Sequence, residues 1–228
     1  MRHIPQNIAF ELSNRCNYSA MHPKCPNKAG AELVYLDANI VTRAVDYIAS
    51  VGWDMSIFFN IYNEPLLDPR LFWFMQYVQD HSNCRICIFT NGWNLTPALH
   101  SEIVKFRAGV TISVYSDAEE KRLSCAGMNT SRIELDSRMD IYNNAPVHSG
   151  KCFFPSTYPM ITHQGILTLC CLDTNYNYPI ADLNKVSFQE AIESEYRMLI
   201  CDELSSGVRT LDACKRCSCR GWGVTDET

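Results

Sequence analysis

The chain has 228 residues, 46% of them apolar, and a formal net charge of −5. The acidic balance argues against a nucleic-acid partner, because phosphate binding needs a basic surface, while the apolar share can fill a sizeable core. No run is long and apolar enough to span a bilayer, and the opening MRHIPQNIAFELSNRC lacks the apolar stretch of a secretory signal, so a cytoplasmic protein without a membrane partner is expected.

Ile8–Leu12 reads as a short apolar strand that ends at Ser13-Asn14-Arg15-Cys16. Leu36–Val51 has helical spacing, with Ile40, Val41, Ala44, Val45, Tyr47 and Ile48 on one broad face, Asp37 as N-cap and Gly52 after the last turn. Met55–Phe59 is a buried strand that leads into the loop Asn60–Pro65. Arg70–Val78 is a second helix, Cys84–Phe89 a third strand running into Thr90-Asn91-Gly92, Ala98–Phe106 a third helix and Val110–Val114 a fourth strand. Ala118–Ser124 continues as helix and Arg132–Asp136 as a fifth strand. Repeated strand–helix units build a parallel sheet, and in such sheets chemistry gathers where the strands end. Cys16, Asn63, Glu64, Thr90, Asn91 and Ser113 all follow or end a strand, so one rim is expected to collect them.

Too few residues remain before Cys152 for a complete eight-fold barrel. Beyond it, Tyr158–His163 and Ile166–Cys170 bracket Gln164-Gly165 as a hairpin. Phe188–Ile200 reads as a helix and Asp212–Trp222 as a cysteine-rich loop. The expected fold class is α/β: a truncated partial (β/α) barrel over 1–150, followed by a small hairpin-and-helix domain over 151–228.

Eight of the twelve cysteines fall in two groups, Cys16 and Cys25 near the N-terminus, and Cys152, Cys170, Cys171, Cys214, Cys217 and Cys219 near the C-terminus. A cytosolic chain keeps its thiols reduced, which makes metal ligation the default reading. In the second group Cys152-x12-Gly165-x4-Cys170 is followed by Cys214-x-x-Cys217. Four such thiolates suit either zinc or a [4Fe–4S] cluster, and spacing does not separate the two. Cys171 and Cys219 are spare. In the first group His22 lies three residues before Cys25, giving Cys-x5-His-x2-Cys, or else is a loop histidine that only hydrogen-bonds. Three protein ligands on a four-iron cluster would leave one iron open for chemistry. Glu64, at the end of a strand, suits an ammonium group in a ligand. Cys84, Cys87, Cys125 and Cys201 read as small packing residues.

Taken in order, these segments resemble the radical S-adenosylmethionine (SAM) enzymes. IAFELSNRCNY resembles the opening strand and first cluster cysteine, and FFNIYNEPLLDP the loop that binds the methionyl amino group, with the glutamate kept and two glycines absent. IFTNG and ISVYS resemble the family's third and fourth strand endings, and the tail resembles a twitch domain, the short form of the SPASM extension. The chain departs from the family's Cys-x3-Cys-x2-Cys at Ala20 and Pro23. The resemblance implies two [4Fe–4S] clusters, one on Cys16, His22 and Cys25 and an auxiliary one on Cys152, Cys170, Cys214 and Cys217. It implies SAM contacts from Tyr18, Asn63, Glu64, Asn91 and Ser113, and an electron donor such as flavodoxin or ferredoxin. The implied reaction is radical oxidation of a small molecule such as a sugar-like alcohol. Modification of a ribosomal peptide is the alternative, and a non-catalytic Cys₄ metal-binding protein is the rival from another class.

Overall fold

The computed structural model describes residues 3–22, 25–128, 130–132 and 150–217. Five strands alternate with four helices in its first part: β1 (Asn7–Phe10), α1 (Ala38–Ser50), β2 (Ser56–Phe58), α2 (Leu71–His81), β3 (Arg85–Thr90), α3 (Pro97–Val104), β4 (Gly109–Val114), α4 (Asp117–Cys125) and β5 (Thr130–Arg132). The second part contains α5 (Phe154–Thr157), β6 (Met160–Ile161), β7 (Ile166–Thr168), β8 (Pro179–Asp182), α6 (Phe188–Ile192), α7 (Glu195–Ser206) and α8 (Asp212–Arg216).

All eight strands share one sheet in the order β5-β4-β3-β2-β1-β6-β7-β8. Neighbours from β5 through β6 run parallel, whereas β7 and β8 are antiparallel additions. The sheet is open at both ends of this order, as a partial barrel requires. Its α/β class and truncation match expectation. A feature not foreseen is that β6 pairs directly with β1, Ala9 opposite Met160 and Phe10 opposite Ile161, so the sheet runs unbroken past residue 150.

Alternation along each strand divides the side chains between two faces. Ile8, Phe10, Ile57, Ile86, Ile88, Ile112 and Val114 point into the main core with the buried stripes of α1 and α2. Ala9 and Phe58 point to the opposite, inner face, where they meet Phe154, Met160, Leu169 and Tyr158 of the second part. Helix starts follow local chemistry: the Asp37 carboxylate accepts from the N–H of Asn39 at 2.9 Å, and Ser116 and Glu119 form a reciprocal capping box at α4.

Three expectations shift. The single helix over Phe188–Ile200 is two helices, because the Ser194 hydroxyl accepts from the N–H of Arg197 and so caps a new start. The cysteine-rich tail begins as α8 rather than as loop. β8 is an added edge strand, with Pro179 in its first position where no ladder donor is needed. Most of the expected strand Arg132–Asp136, the end of the cysteine-rich tail and Cys219 lie outside the described residues. Among the described residues, no helix is long and apolar enough to cross a membrane.

Candidate functional site

The loop after β1 is laced to the loops that follow the next three strands. The Glu64 N–H donates to the carbonyl of Arg15 at 2.9 Å, and Asn91 Nδ2 donates to Asn17 Oδ1 at 2.8 Å. The Tyr18 hydroxyl donates to Glu119, and the Tyr18 ring packs edge-on against Trp93 and Tyr115. The His22 ring packs edge-on against Tyr115 at 4.9 Å. Strand ends that lie apart in the chain thus meet at one rim, as the parallel topology predicts.

Glu64 is buried at that rim and accepts three hydrogen bonds: from Thr90 Oγ1 at 2.6 Å, the Asn91 N–H at 2.8 Å and the Leu66 N–H at 3.1 Å. Burial pushes its carboxyl above the usual 4.5, and the three donors work against that rise. A carboxylate has about four lone-pair sites, one more than these three donors fill. Cys16 lies close enough for the Glu64 and Cys25 charges to act on it. Burial first, and then those neighbours, push its thiol up to about 11. Two thiols and a carboxylate that repel one another in this way fit a positively charged metal centre, which would hold both thiols ionised.

The other rim residues divide by how they are engaged. Asn63 is committed to its own loop: its Nδ2 donates to the Phe59 carbonyl and its Oδ1 accepts from the Ile61 N–H, both at 3.1 Å. Asn91 joins the cluster loop to the loop after β3, as described above. Ser113 sits buried between Ile112 and Val114 and faces away from their core, onto the inner face of β4.

The C-terminal thiols form a second centre. Cys152, Cys170, Cys214 and Cys217 line one cavity whose remaining wall is largely apolar, including Phe154, Leu169, Leu172 and Leu204. Burial, then the charges of Cys171, Cys214 and Cys152, drive the Cys170 thiol well above its ordinary range. Burial and the charges of Cys152 and Cys217 push Cys214 up to about 12. Among the described residues no three His, Cys, Asp or Glu side chains converge as a single-ion site. A four-iron cube takes one thiolate at each corner, so it calls for thiols spread around a void rather than gathered on a point. Cys152, Cys170, Cys214 and Cys217 stand around such a void.

Sequence reasoning missed several residues here. Arg209 is buried beside the second centre, where its Nη1 donates to the carbonyls of Cys214 at 2.9 Å and Cys217 at 2.8 Å and its Nε to that of Gly150 at 2.7 Å. Glu119 was readable, since Ser116-x-x-Glu119 is a capping-box pattern. Burial works to raise its carboxyl, yet donors led by Tyr18 hold it below the usual range. The Tyr62 hydroxyl donates to the Cys171 carbonyl, and its ring lies 6.4 Å from that of Tyr176.

Residues 152–218 match the SPASM family, an iron–sulfur cluster-binding domain. The chain is 30% identical over 108 residues to an AdoMet-dependent heme synthase of Methanosarcina barkeri, a match covering 47% of this chain but 29% of that protein. Across 92% of both chains it is 24% identical to the S-adenosyl-L-methionine-dependent 2-deoxy-scyllo-inosamine dehydrogenase of Niallia circulans. Its fold superimposes on the crystal structure of BtrN in complex with AdoMet and 2-DOIA with a TM-score of 0.75, at 21% identity, covering 96% of this chain and 94% of that one. Native anSMEcpe with bound AdoMet follows with a TM-score of 0.64 at 8% identity, covering 96% and 92%.

Proposed function

We propose that this chain, a radical SAM enzyme carrying a C-terminal SPASM-type iron–sulfur domain, oxidises a carbinol carbon of a small sugar-like alcohol to a ketone. The likeness along 92% of both chains to a SAM-dependent dehydrogenase of an aminocyclitol carries this reading. Four thiols around one cavity within the SPASM match support it. When bound, the first cluster and SAM would supply a 5′-deoxyadenosyl radical for hydrogen-atom abstraction, and the auxiliary cluster would supply an acceptor for one electron.

The chain's own residues hold and orient these groups. Cys16, Cys25 and His22 are the proposed ligands of the first cluster, and Cys152, Cys170, Cys214 and Cys217 those of the second. Glu64 receives the amino group of SAM through its remaining acceptor site, with Asn63 and Asn91 fixing the loops on either side. Tyr18 and Ser113 shape the cofactor's bed from the cluster loop and from the inner face of β4. If all four auxiliary ligands are protein thiols, no iron remains open there for substrate, which favours electron transfer over substrate ligation. A flavodoxin or ferredoxin is the proposed source of the starting electron.

Anaerobic reconstitution tests the proposal. About eight irons per chain are expected for two four-iron clusters. With SAM, reductant and a panel of aminocyclitols and sugar alcohols, 5′-deoxyadenosine and a ketone two mass units below its substrate should form together. Protein that loads both clusters but cleaves no SAM with any of these alcohols sinks the reading.

A further inference from the structure

Glu11 follows β1 directly and is fully buried, a costly position for a carboxylate without donors around it. Four donors reach it. Asn27 Nδ2 donates to Oε1 at 3.0 Å. The His163 N–H at 3.1 Å and the Tyr176 hydroxyl at 3.2 Å donate to Oε2, and His163 Nδ1 lies 2.7 Å from the same oxygen. These partners arrive from three directions: the end of the first thiol loop, the turn between β6 and β7, and the segment beyond Cys171. Glu11 alternates with Phe10 and Ile8 of the main core, so it stands on the inner face at the rim.

The geometry determines the imidazole's orientation. Oε2 already accepts from the His163 N–H and the Tyr176 hydroxyl, and an imidazole that donates from Nδ1 to a carboxylate presents Nε2 on its far side as the acceptor. Among the described residues Nε2 has no hydrogen-bond partner, and although His163 is only 8% exposed this nitrogen retains some contact with solvent. Among the described residues, the one sealed, unpaired side-chain nitrogen or oxygen is Nε of Arg197. A purely structural latch would already be satisfied by Asn27, Tyr176 and the His163 backbone, and would not need an imidazole with one nitrogen left open. A carboxylate behind an imidazole with its far nitrogen accessible is the arrangement of an oriented general base.

We infer that His163 accepts the hydroxyl proton of the alcohol and that Glu11 is its positioning residue, a role that rests on the dehydrogenation proposed above. After the carbinol carbon has lost a hydrogen atom to the deoxyadenosyl radical, one proton and one electron must still leave. The O–H bond breaks with its proton moving to Nε2 as the C=O bond is completed, and a cluster held by Cys152, Cys170, Cys214 and Cys217 would be the acceptor of the one electron released. Nε2 returns the proton to water between turnovers.

The experiment compares reconstituted wild-type enzyme, His163→Ala and Glu11→Gln, scoring ketone and 5′-deoxyadenosine separately with 2-deoxy-scyllo-inosamine and the alcohol panel. In His163→Ala, 5′-deoxyadenosine formation should stay within about twofold while ketone falls about 100-fold, the low end of what a general base contributes. Added imidazole should restore ketone at least tenfold over the unsupplemented variant. Glu11→Gln should lower ketone per 5′-deoxyadenosine without changing substrate KM. Ketone and 5′-deoxyadenosine that remain coupled in His163→Ala overturn the inference alone, whereas wild-type enzyme inert toward every alcohol overturns the function it rests on. Should His163→Ala fail to load iron, His163→Asn, which keeps a donor toward Glu11 but has no basic nitrogen, is scored by the same ratio and should lose ketone as steeply. A wild-type ratio in His163→Asn overturns the inference.

Discussion

Replacing Arg209 with methionine is the sharpest test of how the second centre is built. The guanidinium is 8% exposed and donates three short bonds, at 2.7, 2.8 and 2.9 Å, to the carbonyls of Gly150, Cys217 and Cys214. Each hydrogen bond from a charged group contributes about 1.5–3 kcal/mol. Methionine fills much of the same volume but offers no donor, so these three carbonyls, and more weakly that of Lys151 at 3.4 Å, lose their partner. Part of that loss is offset because a buried guanidinium no longer has to be desolvated, a recovery of several kcal/mol. The net cost is therefore about 3 kcal/mol, which for a chain of this size lowers the melting temperature by roughly 6–12 °C. Circular dichroism of the metal-free protein measures this directly. Iron analysis after reconstitution gives a second reading: the turn carrying Cys214 and Cys217 loses its scaffold, so about half the iron should be lost, all of it from the auxiliary site. A melting temperature within about 2 °C of wild type, with full iron, would refute this account of Arg209.

Glu64→Ala should weaken SAM binding by about tenfold or more, the equivalent of one charge-assisted hydrogen bond, with iron near normal; equilibrium dialysis on reconstituted protein measures it, and unchanged affinity removes Glu64 from the cofactor site. Glu64→Gln tests the electrostatics. Burial raises this carboxyl above 4.5, so folded protein keeps a proton there at a pH where the unfolded chain has released it. Stability from this group is therefore lost as pH rises through that window. Glu64→Gln should flatten the decline in urea titrations across the window, and an identical slope would assign the decline to another group. His22→Ala should cost iron at the first site only; full loading would send the search for a third ligand elsewhere. Gly165→Ala should destabilise by about 1–3 kcal/mol, chiefly from left-handed strain, since the side-chain ends it meets can shift. Gly165 has φ +79°, and an added Cβ would stand 2.7 Å from Ile40 Cδ1 and Asn184 Nδ2; a melting temperature equal to wild type would show that the turn relaxes freely.

Legibility in the sequence follows the range of the forces involved. β1 to β4 could be read because parallel strands buried among helices leave unbroken apolar runs such as ICIF and ISV, and because Asp37, Ser116 and Gly52 punctuate the helices locally. The gathering of Cys16, Glu64 and Asn91 at one rim followed from topology alone. The break at Ser194 was hidden because the apolar spacing of α6 continues into α7, so a capping hydroxyl decides what periodicity cannot. β8 carries no alternation, since an edge strand with intermediate burial exerts little selection on its side chains. Least visible was Glu11, an acid at the end of an apolar strand whose partner His163 is 152 positions away. Only the pairing of β6 with β1 brings the two together.

That pairing has a further consequence. Since β1 is hydrogen-bonded along one edge to β2 and along the other to β6, the loop bearing Cys16 and the hairpin leading to Cys170 grow from a common ladder of inter-strand hydrogen bonds. Their separation is gauged by strand spacing rather than by the swing of a tether. Selection for a bulkier guest would then act by lengthening or trimming the connecting loops, because tilting one half against the other would tear the ladder itself.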